Sequence, residues 1–397
     1  MTFVGRRDFL RAGAAAGFTI SIPGWATESE TPRPIKPPSG EFLANLPHLL
    51  ELAQLPGLGM GVIEAGQPSR QTYLGLANAT TKAQINAESL FPAASMGKQV
   101  FAYGALLLVE QGKLDLDRPV KEYLSDGAPT GKWSDKITAR HILSHSSGLP
   151  NWRPEKDLAA VFEPGTKFGY SGEGFYFLQR CLEHITGVGA EQWLQDTVMK
   201  PIGMTSSTYL WRADGDARIV SGHRRNEPFD NTGFAKQLFA LIEASGKPLG
   251  TWHHEEIVAA MGKDKPASTQ LLPNEISPNV AFSLLTTVSD YCRFLAHVLS
   301  PNRKDPRSLF REGICKPISR VNSALGWGLG FGIEQEGTQP RYLWQWGDNG
   351  GWKNFFLIHP ETRSGIVVFT NGENGMRVVE RVMRAATGED QAAFLWV

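Results

Sequence analysis

The sequence predicts a mixed α/β fold in which one sheet draws strands from both ends of the chain, with a helical lobe inserted between them. Three observations lead there. Strand-like alternation occupies Gly57 to Ala77, around a turn at Gly66-Gln67-Pro68. It returns near the end, where "GWGLGFGIEQ", "RYLWQWGDN", "WKNFFLIHP" and "SGIVVFTNG" follow one another as apolar runs parted by turn residues. Between the two, from Phe101 to His297, the pattern is mostly helical and broken by Gly and Pro. Strands so remote in sequence can share a sheet when the helices between them pack as a layer or lobe of their own.

Taken in order, the chain opens with paired Arg6 and Arg7, then Phe9 and Leu10, then a weakly apolar stretch from Ala12 to Ile22. That stretch is too short to span a bilayer. Gly24 and Ala26 supply small residues for a cleavage site, and the whole resembles a bacterial twin-arginine export signal. Residues 1–26 are therefore expected to be a signal peptide and 27–40, proline-rich, a linker. Residues 41–397 are the working domain, expected to be periplasmic or secreted. No cysteine follows the signal, so a lipid anchor is not expected. Glu41 to Leu52 reads as a helix, Arg212 to Asn274 loosens into a long polar insertion, and Gly375 to Thr387 reads as a closing helix.

Composition narrows the function. A chain of 397 residues with 41% hydrophobic content can bury a large core. Its 40 basic and 40 acidic residues balance without long runs of one sign, which argues against nucleic acid or a polybasic membrane surface as partner. The 11 tryptophans, 42 glycines and 25 prolines suggest many turns and an aromatic-lined cleft. Cys181, Cys292 and Cys315 are odd in number, far apart and without metal-ligand spacing; they read as small core residues, able to form one disulfide at most.

Chemistry concentrates in "FPAASMGKQVFAYGALLLVEQG", Phe91 to Gly112. A serine hydroxyl is a poor nucleophile until a base takes its proton. Three positions along a helix return to the same face, so Lys98 can aim its amine at Ser95. Burial disfavours the charged lysine and turns it into a base near neutral pH. The helix head adds a backbone N–H and a favourable dipole for a developing oxyanion. The same spacing also fits Ser95 as an N-cap with Lys98 reaching solvent.

Three further stretches follow "SMGK" in order: "ITARHILSHSSGLPNW", "PGTKFGYSGEGFYFL" and "WQWGDNGGWKNFFLIHPETRSGIVVFTNG". Together the four resemble the serine β-lactamase-like hydrolases, the group of class C β-lactamases, D-alanyl-D-alanine carboxypeptidases and related esterases. The resemblance runs from about Glu41 to Thr387. It implies a β-lactamase/transpeptidase-like α/β (α+β) fold, an antiparallel sheet flanked by helices with an inserted helical lobe. It also implies an acyl-enzyme mechanism without metal or other cofactor. Ser95 would be the nucleophile and Lys98 the base or proton shuttle. Tyr170, opening the Tyr170-Ser171-Gly172 triplet, would exchange a proton with the Ser95 oxygen and the leaving group, coupled to Lys98. Asp348-Asn349-Gly350 would be the substrate-binding triplet, sharing an oxyanion hole with the Ser95 N–H.

Two departures bear on substrate. Gly172 replaces the asparagine that usually offers its amide to the acyl side chain, and Asp348 stands where the family carries lysine or histidine. An anion there repels the carboxylate common to β-lactams and D-alanyl peptides, so neutral esters or amides gain; Lys353, five residues on, could restore positive charge. His141 and His145 have a metal-compatible spacing but lack the glutamate of a metalloprotease motif, and packing is the expected role. "HHEE", His253 to Glu256, reads as a solvated face, and "WGLGFG" lacks the setting of a nucleotide fold. The expected activity is hydrolysis of a small ester, amide or peptide through an acyl-enzyme on Ser95. The alternatives are a β-lactamase, D-Ala-D-Ala carboxypeptidase or D-amino-acid peptidase, and a penicillin-binding or cell-wall-fragment sensor without turnover.

Overall fold

The computed structural model describes residues 33–153, 157–210, 217–225, 227–228, 246–247, 251–254, 256, 259, 278–300, 325–336 and 339–397. The signal-like segment 1–26, Cys315 and most of the predicted insertion lie outside the described residues.

Ser39 starts α1 (Gly40–Leu52) by accepting the Phe42 N–H on its hydroxyl. Strands β1 (Gly57–Glu64) and β2 (Gln67–Gly75) then form the predicted hairpin. A short strand β3 (Phe91–Pro92) leads to the buried helix α2 (Gly97–Glu110). The helical lobe continues through α3 (Ala139–Leu143), α4 (Gly172–Thr186) and α5 (Ala190–Leu194). After the small pair β4 (His223–Arg224) and β5 (Glu227–Pro228), strand β6 (Leu285–Thr286) precedes α6 (Val288–Val298). The end of the chain contributes β7 (Leu325–Trp327), β8 (Gly332–Glu336), β9 (Gln339–Asp348), β10 (Lys353–His359), β11 (Ser364–Thr370) and α7 (Gly375–Thr387).

Among the described residues the main sheet has seven strands in the order β2-β1-β11-β10-β9-β8-β7, antiparallel throughout. The two ends of the chain join at β1 and β11, with Leu58 opposite Thr370 and Val62 opposite Ile366. "GWGLGFGIEQ" differs from expectation: it is the end of β7, a turn and most of β8 rather than one strand, with Gly330 at φ +95° in the turn.

Both faces of the sheet are covered, which is why its central strands read as continuous apolar runs. Phe356, Ile358, Val367 and Phe369 face the core shared with α2 and α6. Phe355, Leu357, Ile366 and Val368 face a second core with Val378, Val379 and Val382 of α7 and Leu46 and Leu50 of α1. On β1, Leu58, Met60 and Val62 supply that second core, while Gly59 and Gly61 alternate on the face toward α6. A side chain at Gly61 would strike the Cys292 sulfur, so glycine there lets α6 lie directly on the strand.

Candidate active site

Ser95 occupies a 3₁₀ turn, Ala94–Met96, immediately before α2 rather than the α-helix itself. Strand β3 fixes the approach: Phe91 pairs with Thr286, Pro92 with Leu285, and the Ala93 N–H donates to the Leu284 carbonyl at 2.7 Å. Ala94 is held at φ +52°, a left-handed conformation that costs a non-glycine residue about 1 kcal/mol. Strand β9 presses on this turn at Gly347, where a Cβ would collide with the Ala93 carbonyl oxygen. Gly347→Ala is accordingly expected to cost about 1–3 kcal/mol of stability and to displace the serine. Thermal melting and ester kinetics on that variant measure both effects.

Lys98 lies one turn further on, 1% exposed, with Nζ 3.1 Å from the Ser95 hydroxyl oxygen. Its amine donates to the Ala281 carbonyl at 2.7 Å. Asn279 and Gln179 place that carbonyl: the Asn279 side chain accepts the Ala281 N–H at 2.9 Å, and Gln179 on α4 accepts the Val280 N–H at 3.0 Å. Burial pulls the lysine pKa down from 10.5 to about 7. A neutral amine can give one N–H to Ala281 and turn its lone pair toward Ser95.

Tyr170 stands in the extended stretch just before α4, with Lys98 Nζ 5.0 Å from its ring centroid. Burial of its hydroxyl raises the phenol pKa well above the ordinary value, against contributions from Ser95 and Gln345 that favour ionisation. Gln345 of β9 donates its amide to the Tyr170 oxygen at 3.1 Å. The ring stacks on His145 at 4.0 Å between centroids and leans on Trp346 at 4.7 Å. His145 is itself buried at φ +50°, and its Nδ1 accepts the Ser171 N–H at 3.1 Å. Burial, with Lys98 nearby, holds this imidazole well below its usual pKa, so it is a neutral platform for the tyrosine.

The two departures acquire partners. Gly172 opens α4 behind the Ser171 cap, and its N–H donates to the Asn151 side chain at 3.0 Å. The space a side chain would need is filled by Trp152, whose ring atoms lie 2.7 and 2.8 Å from an ideal Cβ. Asp348, at the end of β9, pairs directly across the hairpin with Lys353 and bonds it at 2.6 Å. Lys353 therefore neutralises Asp348 instead of supplying a spare cation. Asn349 donates its side-chain amide to the Phe282 carbonyl at 3.2 Å, and Gly350, at φ +76°, gives its N–H to Asp348 at 2.8 Å.

Other expectations resolve less uniformly. His141 caps α3 reciprocally with Thr138, and Cys181 and Cys292 are free and buried. The solvated reading of "HHEE" fails at His254, which is 8% exposed, bonds the Tyr176 hydroxyl and takes the Glu183 carboxylate on its N–H. No cluster of potential metal ligands occurs among the described residues.

Gln345, His145, Trp152 and the Ala281 carbonyl were not read as site groups from sequence. His145 stands out in the sequence only for packing, and Gln345 leaves a signal as a lone polar residue between Trp344 and Trp346 in an aromatic strand. A backbone carbonyl leaves none.

The Beta-lactamase family profile matches residues 43–387. The chain belongs to the Beta-lactamase family. Within it, 178 residues are 29% identical to Penicillin-binding protein 4* of Bacillus subtilis, covering 39% of this chain and 38% of that one. The D-alanyl-D-alanine-carboxypeptidase/endopeptidase AmpH of Escherichia coli is 23% identical over 44% of this chain and 51% of its own. Monacolin J acid methylbutanoyltransferase of Aspergillus terreus is 30% identical over 34% of this chain and 41% of its own. The chain thus spans about half or less of the length of these relatives. Among solved structures, the octameric penicillin-binding protein homologue from Pyrococcus abyssi superposes with a TM-score of 0.64 at 20% identity, over 87% of this chain and 75% of that one. The β-lactamase/transpeptidase-like fold expected from the motifs is the fold of this Beta-lactamase family member.

Proposed function

We propose that this Beta-lactamase family member is an exported serine hydrolase that cleaves a neutral ester or amide through an acyl-enzyme on Ser95. The observation that carries the reading is Lys98, buried, 3.1 Å from the serine oxygen and with a pKa brought to about 7. Neutral Lys98 takes the hydroxyl proton as the Ser95 oxygen bonds to the carbonyl carbon. The oxyanion forms at the head of α2, by the Ser95 N–H and the 348–351 segment. Tyr170, whose buried phenol keeps its proton, hands it to the departing alkoxide or amine and recovers one from the lysine ammonium. Water then attacks the acyl carbonyl by the reverse route and frees Ser95.

Neutral substrates fit the pairing of Asp348 with Lys353, and a relative named for transferring a methylbutanoyl group is consistent with them. The names of the penicillin-binding and carboxypeptidase relatives favour a second reading, a carboxylate-bearing β-lactam or D-alanyl peptide. Export rests on Arg6, Arg7 and the apolar stretch that follows; no described helix is long and apolar enough to cross a membrane.

The test is p-nitrophenyl acetate hydrolysis by protein starting near Thr27, beside Ser95→Ala. Turnover is expected to fall by about 10³-fold or more in the variant, and retained turnover overturns the reading. Saturation kinetics on a cephalosporin and a D-Ala-D-Ala peptide decide the second reading. A stable stoichiometric adduct without product would instead mark a sensor.

A further inference from the structure

We propose that Trp152 and Phe282 form an aromatic acyl subsite in place of the missing asparagine amide, selecting substrates with an extended apolar acyl group. The proposal rests on the serine-hydrolase reading above and names its substrate class.

Trp152 is a large apolar side chain left 42% exposed, yet its backbone is pinned on both sides. The Asn151 side chain and carbonyl accept the N–H groups of Gly172 and Glu173 at 3.0 and 2.9 Å. Arg153 bonds the fully buried Glu173 carboxylate twice, from its backbone N–H at 3.1 Å and its guanidinium at 2.9 Å. The loop is thereby fixed to the N-terminus of α4, and the indole is laid over Gly172, two residues after Tyr170. An indole held open to solvent by buried anchors has its conformational entropy already removed, which suits it to bind.

Phe282 meets the indole edge to face, 5.9 Å between centroids. It follows Ala281, whose carbonyl holds Lys98, and its own carbonyl takes the Asn349 amide. The pair therefore bridges the lysine side of the centre and the triplet 348–350. The charges beside the pair are neutralised, Arg153 by Glu173 and Lys353 by Asp348. Two aromatic faces flanked by satisfied ion pairs offer dispersion and desolvation to a hydrocarbon chain and little to a charged or amide-bearing one.

The test compares p-nitrophenyl acetate and hexanoate in the full protein, Trp152→Ala, Trp152→Phe and Phe282→Ala, with thermal melting of each. Each methylene placed in an apolar site gains about fourfold, and hexanoate has four more than acetate, so it is expected to exceed acetate in kcat/KM by roughly 100-fold or more. Trp152→Ala should cut that ratio about tenfold and Trp152→Phe restore most of it. A ratio near one in the unsubstituted protein, or one unchanged in both alanine variants, overturns the subsite while Ser95-dependent turnover preserves the hydrolase. Absence of Ser95-dependent turnover of either ester overturns both.

Discussion

Lys98→Met is expected to lower kcat/KM for an ester by about 10³-fold and, at the same time, to stabilise the protein at neutral pH. The lysine pKa is about 7 in the fold against 10.5 for an ordinary lysine. Below about pH 7 the amine is charged in both states, and the folded state carries the full cost of burying that charge. Between about 7 and 10.5 the unfolded chain keeps a proton that the folded protein has lost, so stability rises with pH across this window. At about 1.4 kcal/mol per tenfold change in proton affinity, the whole gap is worth about 5 kcal/mol. Methionine removes that cost and orphans the Ala281 carbonyl, which costs about 1–3 kcal/mol. A net gain of about 3 kcal/mol at pH 6 is left, falling to nothing near pH 9 and becoming a loss of about 1 kcal/mol at pH 10. Denaturant titrations of both proteins at these pH values measure it. The same ionisation is expected to make kcat/KM of the unsubstituted protein rise with pH through an inflection at about 7. A variant that is less stable at pH 6, or a profile flat through 7, rejects Lys98 as the base.

Tyr170→Phe separates the second role from the first. The ring contacts with His145, Trp346 and Trp327 survive the change, so folding should be little affected beyond the lost Gln345 bond. An alkyl ester, whose alkoxide must be protonated to leave, is expected to lose about 10³-fold in kcat. A p-nitrophenyl ester, whose phenolate leaves unaided, should lose only about tenfold. The inflection near pH 7 should persist in both, because Lys98 remains. Equal losses on the two esters would place Tyr170 in serine activation instead of leaving-group protonation.

What the sequence made legible follows the range over which each feature is decided. Ser95 and Lys98 are three apart, so one turn of local structure suffices to make them neighbours, here at 3.1 Å. The terminal strands and α7 were readable because periodicity and turn residues are local as well. The splitting of "GWGLGFGIEQ" was not: the turn at Gly330 is set by packing against Ala102 of α2, more than 200 positions away. Gly172 and Asp348 were recognisable as departures, but what compensates each depends on tertiary pairing. Trp152 reaches Gly172 through a folded loop, and Lys353 meets Asp348 only once the β9–β10 register is fixed. His254 was misjudged because a charged neighbourhood in sequence conceals a single imidazole turned inward to Tyr176, on a backbone whose N–H donates to the Glu183 carboxylate.

The joining of β1 to β11 also dictates when the centre can exist. Lys98 is held by a carbonyl 183 residues away and Tyr170 by an amide 175 residues away, on a sheet that closes only when Thr370 meets Leu58. Contacts this non-local form slowly, after the loop entropy between them has been overcome. A nascent chain that has already exposed Ser95 lacks Ala281, Gln345 and Gly347, so its serine is an ordinary alcohol beside an ordinary lysine. On the proposed reading, the reactivity of Ser95 waits on completion of the last strands, late in synthesis.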